Sequence, residues 1–261
     1  MAEKLQGFLD NDSTFGRLMT RCGIIIAANI LFILFSLPVV TVGASFTAMY
    51  HVMFKTLRGD GVINPFKQFW VGFKTNFKQA TIYWVIVLLL TAFGFVDVMF
   101  CRQMGGVLEY FMYAIYALGI VALVITLYFF PTLAAFEDSI PHLLRNALFF
   151  AVQKPFRLLV LLFFNVFPLY LTYTDAQMQP LYAFMWCMFG FGAIAMLGAT
   201  MLLPSFKPYL PLVDDTGHFI LDENGEKIRA NQAETEEETG TSDEHQKTEE
   251  ETLEEMKKLG I

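Results

Sequence analysis

Residues 22–55 read CGIIIAANILFILFSLPVVTVGASFTAMYHVMFK, and this apolar stretch decides the fold class. About 20 apolar residues cross the hydrocarbon core as an α-helix, so the stretch is too long for one crossing. Pro38 interrupts it, because proline lacks an N–H group and disfavours helix at the preceding residue. We predict two helices, at about residues 22–38 and 44–57, joined by a turn. The alternative is that 44–57 crosses only half of the membrane.

Four further apolar runs are each long enough to span the membrane, at 80–100, 107–130, 156–173 and 181–203. The chain is therefore predicted to be an all-α, polytopic helical membrane protein with six spans, or five spans plus a half-crossing helix. Its composition agrees, with 55% hydrophobic and only 16% charged residues, whereas soluble domains are about one-quarter charged. This balance argues against a soluble enzyme and a nucleic-acid binder. Three widely spaced cysteines suggest neither a disulfide framework nor a zinc site.

The charge is unevenly divided along the chain. From Asp214 onward, 16 acidic and 5 basic residues give −11, and residues 1–213, with 9 acidic and 13 basic, give +4. Lys and Arg gather in the segments on the side of both chain ends, which the positive-inside rule assigns to the cytoplasm. We therefore expect a multi-pass membrane protein with cytoplasmic termini. The predicted parts are a cytoplasmic segment 1–21, a membrane domain 22–207, a cytoplasmic turn-rich segment 208–230 and a disordered acidic tail 231–261.

The turn after the first helix is a candidate helix break or interaction motif. Its five residues are Ser36, Pro38, Thr41, Gly43 and Ser45. We expect the hydroxyl groups of Thr41 and Ser45 to cap the next helix, and Gly43 to free the backbone between them. Broken helices in transporters expose backbone groups to solutes, and a weak echo of this region after Pro131 is compatible with a duplicated unit.

Residues 62–79 have the period of an amphipathic helix in the first cytoplasmic loop. One face carries aromatic side chains and its flank carries lysines: Phe66, Phe69, Trp70, Phe73, Phe77, Lys67, Lys74 and Lys78. An aromatic face bordered by lysine is typical of a helix in the membrane interface. The competing interpretation is that this face packs on the protein's own spans.

Few polar groups lie inside the predicted spans, where such groups usually have a function. We expect Asp97 to pair with Arg102 near the outer surface, and Asn29 and Asn165 to bond across helix contacts. His51 is expected to be a hydrogen-bonded structural residue. Metalloprotease, hydrolase and nucleotide-binding motifs do not occur, so we predict no catalytic residue, no metal site and no cofactor.

The segment NILFILFSLPVVTVGASFTAMYHVMFKTLRGDG (29–61), followed by FKTNFKQATIYW (73–84), resembles the YesL-type bacterial membrane proteins, a domain-of-unknown-function family. The likeness extends over about residues 7–207. It implies genes beside carbohydrate ABC transporters and no established activity. We therefore expect a non-enzymatic accessory component of carbohydrate uptake or its regulation, whose partners are the lipid bilayer and sugar ABC transporter subunits and not nucleic acid. The alternative is an autonomous transporter or channel for small solutes.

Overall fold

A computed structural model describes residues 14–58, 63–104, 106–136 and 138–210 of the chain. The predicted turn-rich segment up to residue 230 and the acidic tail 231–261 lie almost wholly outside these residues. Every regular element in the described part is helical, which confirms the all-α class. The α-helices are α1 (Thr14–Phe35), α2 (Val42–Arg58), α3 (Pro65–Met104), α4 (Phe111–Ala135), α5 (Ile140–Gln153), α6 (Pro155–Thr174), α7 (Gln179–Met185) and α8 (Phe191–Phe206). Short 3₁₀ turns occupy Val39–Thr41, Gly106–Tyr110 and Lys207–Tyr209, and a π-helix occupies Trp186–Gly190.

Five helical stretches in the described residues are long and apolar enough to cross a membrane. They are Phe15–Phe35, Pro65–Met104, Phe111–Ala135, Pro155–Thr174 and Gln179–Tyr209. Together with α2, these stretches are roughly consistent with the six predicted spans. Helix α2 is the shorter element, with 17 residues that include Lys55 and Arg58 in its last turn.

Helix α3 is longer than the sequence indicated. The amphipathic segment 62–79 and the span 80–100 were predicted as separate elements, but Pro65–Met104 is one helix of 40 residues. At a rise of about 1.5 Å per residue, this helix is about 60 Å long, twice the thickness of a hydrocarbon core. Backbone hydrogen bonding does not depend on side-chain polarity, so the change in hydropathy near Ala80 does not end the helix.

Helix α2 runs antiparallel to the first half of α3. At its start, a Cβ on Gly43 would lie 2.7 Å from Cβ of Trp84, and further along, a Cβ on Gly72 would lie 2.8 Å from Cβ of His51. The two glycines therefore allow a close approach of the two helices. Helix α2 therefore lies beside the first half of α3, from about Gly72 to Trp84.

Helix α5 lies between the predicted spans 107–130 and 156–173, where we predicted no helix. Its N-cap is Ser139, and Pro141 stands in the first turn, where proline is tolerated. The buried residues Leu143, Ala147, Phe150 and Ala151 share one face at helical spacing.

Helices α3 and α4 form an antiparallel pair. The rings of Tyr83 and Phe129 are stacked with centroids 3.7 Å apart, and the hydroxyl groups of Tyr83 and Thr126 are 2.9 Å apart. Beyond this contact, no residue is buried from 84 to 100 or from 113 to 127. We call these two stretches the α3–α4 arm.

Candidate functional site

The predicted helix break is present between α1 and α2. Helix α1 ends at Phe35, and Pro38 is extended, with φ −76° and ψ 115°. The Thr41 hydroxyl donates to the carbonyl oxygens of Phe35 at 2.6 Å and Pro38 at 2.8 Å. The Ser45 hydroxyl donates to the carbonyl of Thr41 at 3.1 Å. The predicted N-capping role of both residues is therefore wrong, because Thr41 donates to two carbonyls at the break and Ser45 donates to the carbonyl four residues before it.

Gly43 has a different function from the one predicted. It lies inside α2, and the only positive φ angle in the described part of the chain belongs to Gly106. Position 43 requires glycine because Trp84 and Ala80 leave no space for a Cβ atom there, and not because the backbone needs conformational freedom. The indole Nε1 of Trp84 also donates to the carbonyl of Val39 at 2.8 Å, which ties the break to α3.

A second interruption, the π-helix Trp186–Gly190, is bonded to α1 through Asn29. The Asn29 side chain is fully buried. Its Nδ2 donates to the carbonyls of Trp186 at 3.0 Å and Cys187 at 2.9 Å, and its Oδ1 accepts from the Gly192 N–H at 2.9 Å. These bonds satisfy backbone groups that the wider turn releases. The prediction that Asn29 bonds across a helix contact is confirmed.

The other predicted polar contacts differ from expectation. Asn165 Nδ2 donates to the carbonyl of Leu161 at 2.8 Å, within its own helix, so its predicted cross-helix bond is wrong. The Arg102 guanidinium donates to the Tyr116 hydroxyl at 3.2 Å across the tip of the α3–α4 pair, and not to the exposed Asp97. His51, in contrast, packs against Gly72 and interacts with the Gln68 side chain and the Ala134 backbone, as a structural histidine does, although its Nε2 has no partner of its own in the described ranges.

The predicted aromatic and lysine face divides into two sides on α3. Phe69 is 1% exposed, and the Phe35 ring lies 5.6 Å from the ring of Phe69 and 5.0 Å from that of Phe73. The other three aromatic residues and the three lysines are exposed: Phe66, Trp70, Phe77, Lys67, Lys74 and Lys78. We call this exposed set the aromatic–lysine stripe. Packing on the protein's own helices thus holds for Phe69 and Phe73, and Trp70 also touches the Phe35 ring at 5.8 Å. The interfacial interpretation stays a prediction for the exposed residues.

At both helix interruptions, side chains of the protein hydrogen-bond backbone groups. Thr41 and Trp84 bind carbonyls at the first break, and Asn29 binds the backbone at the second. One polar group near the first break is different, since Ser36 Oγ is buried and has no hydrogen-bond partner among the described residues. The three cysteines are free. No cluster of three metal-binding side chains occurs in the residues that the structure describes.

The apolar helices and their packing define a multi-pass helical membrane protein. Over residues 25–98, from α1 into the outer part of α3, the chain matches the family described as "Protein of unknown function, DUF624". The match agrees with the expected likeness to a family of unknown function over this segment. It is compatible with the YesL-type resemblance and is narrower than residues 7–207. No curated protein and no solved structure matches the chain.

Proposed function

We propose that the protein is a non-enzymatic accessory component of carbohydrate uptake, which binds the membrane subunits of a sugar ABC transporter. The observation that supports this proposal is the α3–α4 arm, whose two helices leave apolar side chains exposed on several sides. The most exposed are Phe93 and Phe95, each at 67%, and Leu118, at 70%. In a membrane, such a surface contacts either lipid or the spans of another protein.

The arm supports a partner interface because its helices are paired with each other for only part of their surface. Gly94 approaches Ile115 at 3.5 Å from its ideal Cβ position, and Arg102 bonds Tyr116. These contacts keep the two helices together as one unit, while their outer sides stay available. Association of helices in a membrane depends on this kind of van der Waals packing. The carbohydrate partner itself follows from the resemblance, which implies genes beside sugar ABC transporters.

A site-specific crosslinking experiment tests the proposal. A photo-crosslinking amino acid is placed at Leu118 on the arm or, as a matched control, at Leu169 on α6, which is also exposed. In cells grown on a complex sugar, we expect the probe at Leu118 to capture a permease subunit and the probe at Leu169 to capture none. Equal capture at both positions, or no permease at either, would contradict the proposal. Deletion of the gene should also slow growth on that sugar.

The cellular setting belongs to the same proposal. We assign the protein to a bacterial plasma membrane with both termini in the cytoplasm. The assignment rests on the basic residues of the segments 55–79 and 137–157, which the positive-inside rule places in the cytoplasm. At the opposite end of α3, Arg102 in the last turn is the one basic residue before α4 begins.

The alternative function is that of an autonomous transporter or channel. The buried Ser36 hydroxyl at the first helix break, which has no hydrogen-bond partner among the described residues, favours this alternative. Transporters bind solutes at interrupted helices. Proteoliposomes that contain only this protein would then transport a sugar or an ion, and Ser36→Ala would reduce the flux several-fold. The accessory function instead predicts no flux above that of protein-free vesicles for any solute in a broad panel.

A further inference from the structure

The aromatic–lysine stripe has two parallel parts on the first four turns of α3. With about 100° between successive residues, Phe66, Trp70 and Phe77 lie within about 40° of one another. Lys67, Lys74 and Lys78 lie in a second arc of about 40° beside the aromatic residues. Phe66 is 61% exposed, Trp70 53% and Phe77 40%. The stripe therefore presents aromatic rings and ammonium groups side by side.

The orientation of the stripe is fixed by the opposite side of the helix. Phe69 is buried and packs on Phe35, and Gly72 meets Ala48 and His51 of α2. Rotation of α3 would expose Phe69 and force larger side chains against α2. The stripe consequently borders the packed side of the helix, where Trp70 touches the Phe35 ring at 5.8 Å, and its outer surface remains exposed.

The depth of the stripe follows from the continuity of α3. Lys78 is about one turn, or 6 Å, from Ile82, where the exposed apolar part of the same helix begins. Tryptophan is enriched at the membrane–water interface, and lysine places its charge in the headgroup region while its stem covers apolar surface. The stripe thus lies where the lipid headgroups are expected.

The positive charge of the stripe is not compensated along its own helix. No Asp or Glu occurs between Ile63 and Val96. The close contact between His142 and Asp138, at 3.2 Å, lies outside the stripe. Three exposed ammonium groups on one short surface attract anions of complementary spacing, and phosphate groups are the anions of the interface.

Helix α5, beside the stripe, also exposes apolar and basic side chains together. Gln79 of α3 donates to the carbonyl of Asp138 at 3.1 Å, so α5 begins close to Lys78. The exposed side of α5 carries Leu148, Phe149 and the basic Arg145. The same mixture of apolar and basic groups on two neighbouring helices is characteristic of an interfacial surface.

We propose that the aromatic–lysine stripe binds anionic phospholipids, with Lys67, Lys74 and Lys78 donating to headgroup phosphates and Trp70 and its neighbouring phenylalanines lying between the lipids. A soluble acidic protein is a poorer occupant, because the exposed rings continue directly into the lipid-facing part of α3. This lipid site does not depend on the proposed role in carbohydrate uptake.

Fluorescence quenching of Trp70 tests the proposal. The full-length protein is reconstituted in vesicles of phosphatidylcholine and phosphatidylglycerol in which either one lipid or the other is brominated, at equal bromine content. The Trp70 signal is obtained as the difference between the native protein and Trp70→Phe. We expect at least about three-fold enrichment of the brominated anionic lipid beside Trp70, and loss of most of it in high salt.

Charge variants separate a lipid site from general attraction to the bilayer. The triple variant with Lys67, Lys74 and Lys78 changed to Gln should lose the enrichment, and the same three positions changed to Arg should keep it. The control replaces three exposed basic residues elsewhere, Arg17, Arg21 and Lys154, by Gln and should also keep the enrichment. Equal quenching by both lipids in the native protein, or loss in the control as large as in the stripe variant, would overturn the proposal. If the Gln variant does not fold, the native protein and the Arg variant still give a decisive comparison, because absence of enrichment in both rejects the site.

Discussion

At the scale of single residues, one buried amide and a few glycines determine how the helices meet. Asn29 makes three hydrogen bonds to the backbone between Trp186 and Gly192. Gly43 and Gly72 bring α2 against α3, with no space for a Cβ at either position. These residues stabilise the fold through hydrogen bonds and close helix contacts, which a hydropathy pattern does not reveal.

Replacement of Asn29 by Ala should lower the free energy of unfolding by about 1 to 2 kcal/mol, because two carbonyls and one N–H lose their partner in an apolar setting. The matched control is Asn165→Ala, which removes one bond within a helix whose backbone remains paired, and it should cost less than about 0.5 kcal/mol. Both values are measured by reversible denaturation in mixed micelles. Equal losses in the two variants would contradict the assigned role of Asn29.

Gly43→Ala should destabilise the protein by about 1 to 3 kcal/mol, since the new methyl group would overlap Trp84 and the carbonyl of Ala80. Gly119→Ala is the control, because nothing lies within 4 Å of the corresponding Cβ position. This second variant should be neutral or slightly stabilised, as alanine favours helix. Thermal unfolding in detergent distinguishes the two, and similar melting temperatures would count against close packing at Gly43.

At the scale of elements, the turn Val39–Thr41 lies beside Trp84, about 20 residues and 30 Å along α3 from Met104. Spin labels at Val40, Ile82 and Met104, all exposed, measure this placement in a variant without the native cysteines. We expect a Val40–Met104 distance of about 30 Å or more and a much shorter Val40–Ile82 distance. A Val40–Met104 distance below the Val40–Ile82 distance would instead show that α2 crosses beside the arm.

The elements that the sequence predicts well are those with a strong apolar signal. The spans around 107–130 and 156–173 correspond closely to α4 and α6, because about 20 apolar residues have few alternatives in a membrane protein. Helix α5 was missed since Pro141, His142 and Arg145 resemble loop composition. The partners of Asn29 could not be predicted, because they lie 157 or more residues away and arise from the packing of the whole chain.

At the scale of the whole molecule, the basic residues of the body predict which ends of the helices face the cytoplasm. A reporter phosphatase that is active only outside the cytoplasm is fused after Met104 or after Ser139. We expect activity after Met104 and none after Ser139, because Arg102 is the one basic residue in the first connection, while Arg145, Lys154 and Arg157 follow the second position. The reverse pattern would contradict the proposed orientation.

The uninterrupted course of α3 has a mechanical consequence. A helix of about 60 Å acts as a lever, so a change in tilt of about 10° displaces its far end by about 10 Å. A change in the tilt of α3 about its end at Trp70 and Lys74 would therefore move the tip at Arg102 and Tyr116 by a similar distance.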